Sequence, residues 1–280
     1  ASVTFETTAL TTIEEGAFAN NATLATLVLP TSGLTEIKEN AFYEATALTE
    51  LTVPASVTTI KAGAFYGAEK VTALTFAEDA ENSVPLTIAS GENDGYGAFG
   101  YMTSLTSIVL PSRLTYVGDY AFYNAKNVAS LTLSESLTYI GKEAFMLVGA
   151  SATIAEGSTF TLSVPASVTT IGDGAFKQAK FSSATFANGS ENLTVGANAF
   201  ESSALTTITF PNNLASLGEN AFADCSALVS FDGSNLSDLN ANGFKVDNGI
   251  LYAYENGKVS TFYVPASFAF DENETFVVNA

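Results

Sequence analysis

Histidine is absent from this 280-residue chain, and cysteine and arginine occur once each, as Cys225 and Arg113. Without histidine there is no Ser-His-Asp or Cys-His nucleophile arrangement and no His-ligated zinc site. A lone cysteine forms no intramolecular disulfide, so cysteine usage does not identify an oxidising compartment. Ten basic residues stand against 29 acidic ones, for a net charge of −19. Phosphate recognition needs clustered Lys or Arg, which argues against nucleic acid and against anionic membrane surfaces as partners. No stretch approaches the ~18 to 20 apolar residues that span a bilayer, so this segment is expected to be soluble, with no membrane insertion. The first residues show no charged n-region, apolar h-region or cleavage site. Nor do they show the polar cap that closes a repeat array, so Ala1 is read as a boundary with residues missing upstream.

What the chain does contain is a repeat. Residues 105–122, LTSIVLPSRLTYVGDYAF, carry two short apolar alternations, a proline between them and a closing Ala-Phe. The closing Phe recurs at Phe18, Phe42, Phe65, Phe99, Phe122, Phe145, Phe176, Phe200, Phe222 and Phe244, with spacings of 24, 23, 34, 23, 23, 31, 24, 22 and 22. Such a period, broken by two insertions, marks a solenoid, whose units bury their apolar faces against their neighbours. In LTELTVP, Leu48, Leu51 and Val53 point one way and Glu50 and Thr52 the other, the period of a strand. Six of the seven prolines (Pro30, Pro54, Pro111, Pro165, Pro211, Pro265) end such a strand, as a residue that donates no ladder hydrogen bond should. A second apolar pair follows, such as Val57 with Ile60, and then x-Gly-x-x-Ala-Phe, which is expected to form a single helical or 3₁₀ turn. The rings should stack as a ladder through the interior.

Residues 1–280 are thus expected to form a single solenoid of about eleven units. Insertions are placed near residues 77–95 and 146–159, a terminal hairpin over 245–264, and a degenerate capping repeat at 265–280. The first insertion bears Asp79, Glu81, Glu92 and Asp94 but lacks the ligand spacing of a calcium loop, and is read as a solvated acidic loop; no metal site is assigned. The hairpin turns at Glu255-Asn256-Gly257, where Asn-Gly is a strong signal. Cys225 falls in a column of mostly small apolar residues three places after each Phe, and is read as a buried structural thiol. Asn21, Asn188, Asn192, Asn235 and Asn273 fit a glycosylation sequon common by chance in such a chain.

Two surfaces qualify for binding. The outward strand positions are mostly Ser or Thr, among them Thr52, Thr132, Thr207 and Thr209, which also suits plain sheet stability. The second surface is a tyrosine-rich edge, for which Tyr116, Tyr139, Arg113, Tyr120 and Tyr123 are the candidate partner-binding residues, with Tyr96 and Tyr101 nearby. Tyr and Arg are enriched in binding hot spots, although ordinary edge packing would use the same side chains. Tyr116 and Tyr139 occupy equivalent positions and should lie side by side on adjacent coils, about 4.8 Å apart.

The unit L-x-x-L-x-L-P-x-S-L-T-x-I-G-x-x-A-F resembles the leucine-rich repeat of bacterial BspA-like surface proteins. That family usually carries Cys three residues after the Phe; here only Cys225 keeps it. The segment V-D-N-G-I-L-Y is similar to a V-x-x-G-V-L-Y stretch that follows such arrays. The resemblance implies an α/β right-handed leucine-rich-repeat solenoid, with a single parallel β-sheet on the concave side and short helical or 3₁₀ turns opposite. It further implies a secreted or cell-surface, non-enzymatic module without a cofactor, engaged in protein binding or adhesion to host or bacterial surfaces. The partner would be a protein or glycan ligand on another surface. A carbohydrate-binding module is the alternative; a polysaccharide-active β-helix enzyme or a pure spacer is disfavoured or residual, since the enzyme wants a calcium site and a Lys or Arg base in a groove. A bound ion stabilises the folded state by mass action. Because the acidic loop lacks ligand spacing, added calcium should leave the melting temperature unchanged in a thermal melt; a saturable rise at sub-millimolar calcium, lost in Asp94→Ala, would place an ion there.

Overall fold

The computed structural model describes residues 1–5, 9–78, 84–91, 95–236 and 239–266. They form a parallel-strand solenoid in which each coil contributes up to two short strands and one tight turn. The second apolar pair of each unit builds a continuous nine-stranded parallel sheet: Thr12–Ile13, Glu36–Ile37, Thr59–Ile60, Leu86–Ile88, Leu114–Val117, Tyr139–Ile140, Thr170–Ile171, Leu193–Val195 and Leu214–Leu217. The L-x-L segments build a second, segmented row. It pairs Ser2–Thr4 with Thr26–Val28, Glu50–Val53 with Ala73–Phe76, and Ser107–Val109 with Ser130–Thr132, and then joins Thr161–Val164, Ser183–Phe186, Thr207–Thr209 and Ser230–Asp232.

The single sheet expected from the L-x-L segments is therefore broken into pieces, and the continuous nine-stranded sheet arises instead from the shorter apolar motif. The longer motif ladders only where consecutive units keep the period. Each break in its row falls where the unit length departs: after Pro30, which stands one residue farther from its Phe than Pro54, Pro111, Pro165 and Pro211 do from theirs, and at the two insertions.

Residues 77–95 are also more than an inserted loop. They contain Leu86–Ile88, a central strand of the nine-stranded sheet, with Pro85 just before it in the place of the pattern proline. Asp79, Glu81, Glu92 and Asp94 lie outside the described residues, as does the capping repeat beyond residue 266. Near the C-terminus, Phe244–Asp247, Ile250–Glu255 and Lys258–Tyr263 form a three-stranded antiparallel sheet. Two Asn-Gly turns join them: both residues of each adopt positive φ, Asn248 (48°) with Gly249 (76°) and Asn256 (53°) with Gly257 (76°). That is the turn whose twist matches a hairpin.

No helix forms among the described residues, which corrects the expected helical turns. Left-handed residues occur two places before most pattern Phe residues (Gly16, Asn40, Gly63, Glu143) and two places after (Asn20, Glu44, Gly67, Asn124). A right-handed turn cannot pass through such a pair. The backbone bonds across coils instead: the Phe42 N–H donates to the Ala64 carbonyl at 2.8 Å, and the Phe122 N–H to the Ala144 carbonyl at 2.8 Å. From Ala41 to Ala221 the Ala before each pattern Phe is buried in this column, where a larger side chain would hold the coils apart. Gly141 is required for a similar reason, since a Cβ there would lie 2.4 Å from Asp119 Oδ1 and 2.6 Å from its backbone nitrogen.

Inside the coil the phenylalanines stack without a gap from Phe18 to Phe222, at centroid separations between 5.1 Å and 5.6 Å. Phe244 closes its own unit in the antiparallel sheet. Cys225 is buried, with Sγ 3.0 Å from the Phe200 carbonyl and 3.3 Å from Ser203 Oγ, and burial raises its pKa. Phe122 sits between Phe99 and Phe145, at 5.2 Å and 5.4 Å. Phe122→Ala should therefore lose ~3 to 5 kcal/mol. Thr132→Ala, on the exposed strand face, should shift a denaturant midpoint little; equal shifts for the two would reverse the assignment of inward and outward positions.

Candidate binding surface

The sequence-predicted site residues separate into three environments. Tyr116 and Tyr139 lie in register on adjacent strands of the nine-stranded sheet, each one residue before a buried Val117 or Ile140. Their rings stack at 4.4 Å with planes 3° apart, and the Tyr116 hydroxyl is 3.5 Å from Ser90 Oγ. Partial burial, then the neighbouring Tyr116, pushes the Tyr139 pKa up to about 12, so the Tyr139 phenol stays protonated.

Tyr120 and Tyr123 belong to the turn side of the coil. Tyr120 is buried and meets Tyr123 edge-on at 6.1 Å, while the Lys142 ammonium lies 5.3 Å from the centre of its ring. Tyr123 continues into an outer ladder of rings: Tyr101 at 5.5 Å, then Tyr66 at 5.2 Å from Tyr101, then Tyr43 stacked on Tyr66 at 5.3 Å. Tyr96 leans on Tyr66 and Tyr43 at 5.1 Å and 6.0 Å. Desolvation raises the pKa values of Tyr43, Tyr66 and Tyr123. Tyr101 and Tyr120 hold positive φ, 60° and 56°, a conformation costing a bulky residue roughly 1–2 kcal/mol.

Tyr43 and Tyr66 are the members that sequence reasoning missed. A signal existed, because Tyr43, Tyr66 and Tyr123 each directly follow a pattern Phe. The strand-directed alternation draws attention to the sheets and away from that turn position.

Arg113 does not join the tyrosines. It is buried, and its guanidinium donates to the Val57 carbonyl at 2.6 Å and the Pro54 carbonyl at 3.2 Å, reaching past the intervening coil that carries Leu86–Ile88. Burial works against its charge and Glu78 offsets this; the same carboxylate accepts from the Ser112 N–H at 2.7 Å. Arg113 is a tie between coils rather than a surface anchor. Its long apolar stem lets a charged residue enter a corner that the repeat pattern marks as polar.

The Ser/Thr positions of the segmented row alternate outward as expected, exposed or half-buried beside buried Leu51, Leu74, Ile108 and Leu131. Other threonines carry the coils. Just before the strands, the Thr35, Thr58, Thr138 and Thr169 hydroxyls donate to the carbonyls of Thr11, Thr35, Thr115 and Thr138, at 3.0 Å to 3.2 Å.

At the start of the tyrosine ladder a groove of about 720 Å³ opens between coils, lined by Glu15, Ala19, Asn20, Glu39, Tyr43 and Tyr96 among others. Among the described residues no three His, Cys, Asp or Glu side chains gather as a metal site. No described helix is long and apolar enough to cross a membrane.

Residues 1–84, 92–160 and 155–276 match the BspA type leucine rich repeat region, in six copies. No curated protein sequence matches the chain. Among solved structures it is similar to a leucine rich cell surface protein from Faecalibacterium prausnitzii A2-165, with a TM-score of 0.57 and 20% identity over 85% of this chain and 53% of that one. A leucine-rich repeat protein from Bacteroides ovatus ATCC 8483 gives a TM-score of 0.53 and 20% identity over 82% of this chain and 65% of the other. The chain thus spans about half to two-thirds of the length of these two proteins, and at this identity the likeness is one of fold. With the repeat match running through most of its length, the chain belongs to the BspA-type leucine-rich-repeat family.

Proposed function

We propose that this chain is a non-enzymatic binding module displayed at a bacterial surface, and that it holds a partner protein through its outer tyrosines. The observation that carries the reading is the ladder Tyr43, Tyr66, Tyr101 and Tyr123, a run of aromatic rings outside the core that crosses successive coils. The phenylalanine ladder already supplies the stacking that the fold needs, so the second ladder is surplus to it. Tyr offers large, rigid contact area with a hydroxyl at its tip, and a few such anchors account for most of the affinity of a protein interface. The Tyr116–Tyr139 pair extends aromatic contact onto the nine-stranded sheet. A net charge of −19 favours encounter with basic partners. The family match and the surface protein of F. prausnitzii support display at the cell surface.

Stacking within the ladder argues against a glycan there. Tyr43 and Tyr66 lie 3° from parallel and cover each other's facing sides, and Tyr101 and Tyr123 tilt against their neighbours by 49° and 44°, so no row of coplanar open faces is presented to a sugar chain. The test is an array of purified matrix proteins and glycans, probed with wild type, Tyr66→Ala/Tyr123→Ala, Tyr116→Ala/Tyr139→Ala and Thr207→Lys/Thr209→Lys, each with its melting temperature checked. Protein spots should weaken about tenfold or more in the Tyr66/Tyr123 variant. Loss confined to the lysine variant would move the site to the Ser/Thr face.

A further inference from the structure

The outer tyrosine ladder stops at Tyr43 for a simple reason: in the preceding coil the position after the pattern Phe is Ala19. The coils do not close up to compensate. Phe18 still stacks on Phe42 at 5.1 Å with planes 4° apart, so the ring-stacking separation persists where there is no outer ring to fill it. The groove of about 720 Å³ lies there, over Ala19 and beside Tyr43. Tyr66 covers one face of Tyr43, which leaves the other directed into this slot, where the next rung of the ladder would stand.

Its walls specify charge as well as shape. Glu15 and Glu39 each sit three residues before a pattern Phe, and the Gly16 N–H donates to the Glu39 carbonyl at 3.0 Å, which places the two residues at equivalent positions on adjacent coils. Like charges at facing positions of adjacent turns repel each other unless something cationic lies between them. Lys38 is near enough to feel Glu39, but its ammonium is held by Glu14 at 2.6 Å. Tyr96, three residues before Phe99, leans over the slot from the opposite side. At the far end of the aromatic cluster, Lys142 over Tyr120 shows a tyrosine of this chain already taking a cation on its face.

A neutral planar group would fill the slot but desolvate two carboxylates without neutralising them, which is costly. An ammonium would neutralise them but cannot stack as a rung. A guanidinium is planar, stacks on aromatic faces and offers forked donors to carboxylates. We propose that this groove receives an arginine side chain of the partner polypeptide, its guanidinium stacked on the free face of Tyr43 and hydrogen-bonded to Glu39 and Glu15. The proposal rests on the binding-module reading and gives one end of the tyrosine ladder a defined specificity.

The probe is the peptide acetyl-Gly-Arg-Gly-amide at low ionic strength, followed by NMR of ring-labelled tyrosines in the whole chain, with the Lys and Gln peptides and cellotetraose beside it. The Arg peptide should shift the Tyr43 and Tyr96 signals saturably and bind several-fold more tightly than the Lys peptide. Glu39→Gln should weaken it about tenfold. Ala19→Tyr, which supplies the missing rung from within the chain, should abolish it while leaving the melting temperature unchanged or higher. Equal affinity for Lys and Arg, no saturable shift, or binding that survives Ala19→Tyr overturns the proposal. Cellotetraose shifting the same signals regardless of Glu39→Gln overturns it in favour of a glycan site. Array binding that depends on Tyr66 and Tyr123, without an Arg-peptide shift, removes the arginine site alone; an Arg-peptide shift without that dependence removes the ladder reading and leaves the groove.

Discussion

Successive coils of this protein are bonded through the nine-stranded sheet and the turns, and the separation between them is set by phenylalanine rings stacked 5.1–5.6 Å apart. A unit of 22 to 24 residues cannot bury its own apolar face, so it is stable only with neighbours above and below. Backbone polar groups face the same constraint, because a buried N–H or C=O without a partner is costly. The strands meet it through two parallel ladders. The turn meets it by placing left-handed residues on either side of the Phe, which aims N–H groups such as that of Phe42 at the next coil. The threonine hydroxyls before the strands add a further set of bonds in the same direction, each worth ~1 kcal/mol net.

Departures from the period show which parts of the coil are essential. The nine-stranded sheet and the phenylalanine stack run through both insertions, whereas the L-x-L row breaks at each of them. Extra residues are thus absorbed on the side of the coil where the ladder is least continuous. Arg113 belongs to this accommodation. Reaching from one flank of the first insertion to the carbonyls of Pro54 and Val57 on the other, it ties coils that the inserted residues separate. A buried charge is tolerable when hydrogen-bonded and accompanied by a counter-charge, here Glu78.

The same periodicity supplies the proposed binding surface. Any residue type repeated at one position of the unit becomes a column on the folded protein, and tyrosine directly after the pattern Phe, or one place farther on at Tyr101, becomes a ridge. Where the column is interrupted, as at Ala19, the rigid coil separation turns a missing side chain into a slot. Recognition in such a scaffold is written by substitutions within a register that packing holds constant, which is how extended solenoids present large partners with many small, spaced contacts.

Much of this was legible in the chain alone. The Phe spacing determined a solenoid, the alternation in segments such as LTELTVP determined which side chains face inward, and the small-residue column identified Cys225 as buried, because each is a local consequence of period and polarity. The partition of the tyrosines was not, since residues 116, 120 and 123 are near in sequence yet fall on the sheet or on the turn according to where the backbone bends. Neither was the turn conformation: left-handed residues as different as Asn40, Glu143 and Gly174 carry no common side-chain signature, and only hydrogen bonding between coils selects them. Arg113 is the sharpest case, for its charge announced a surface residue while its partners, Pro54 and Val57, lie 59 and 56 residues away and meet it only after the coils have stacked.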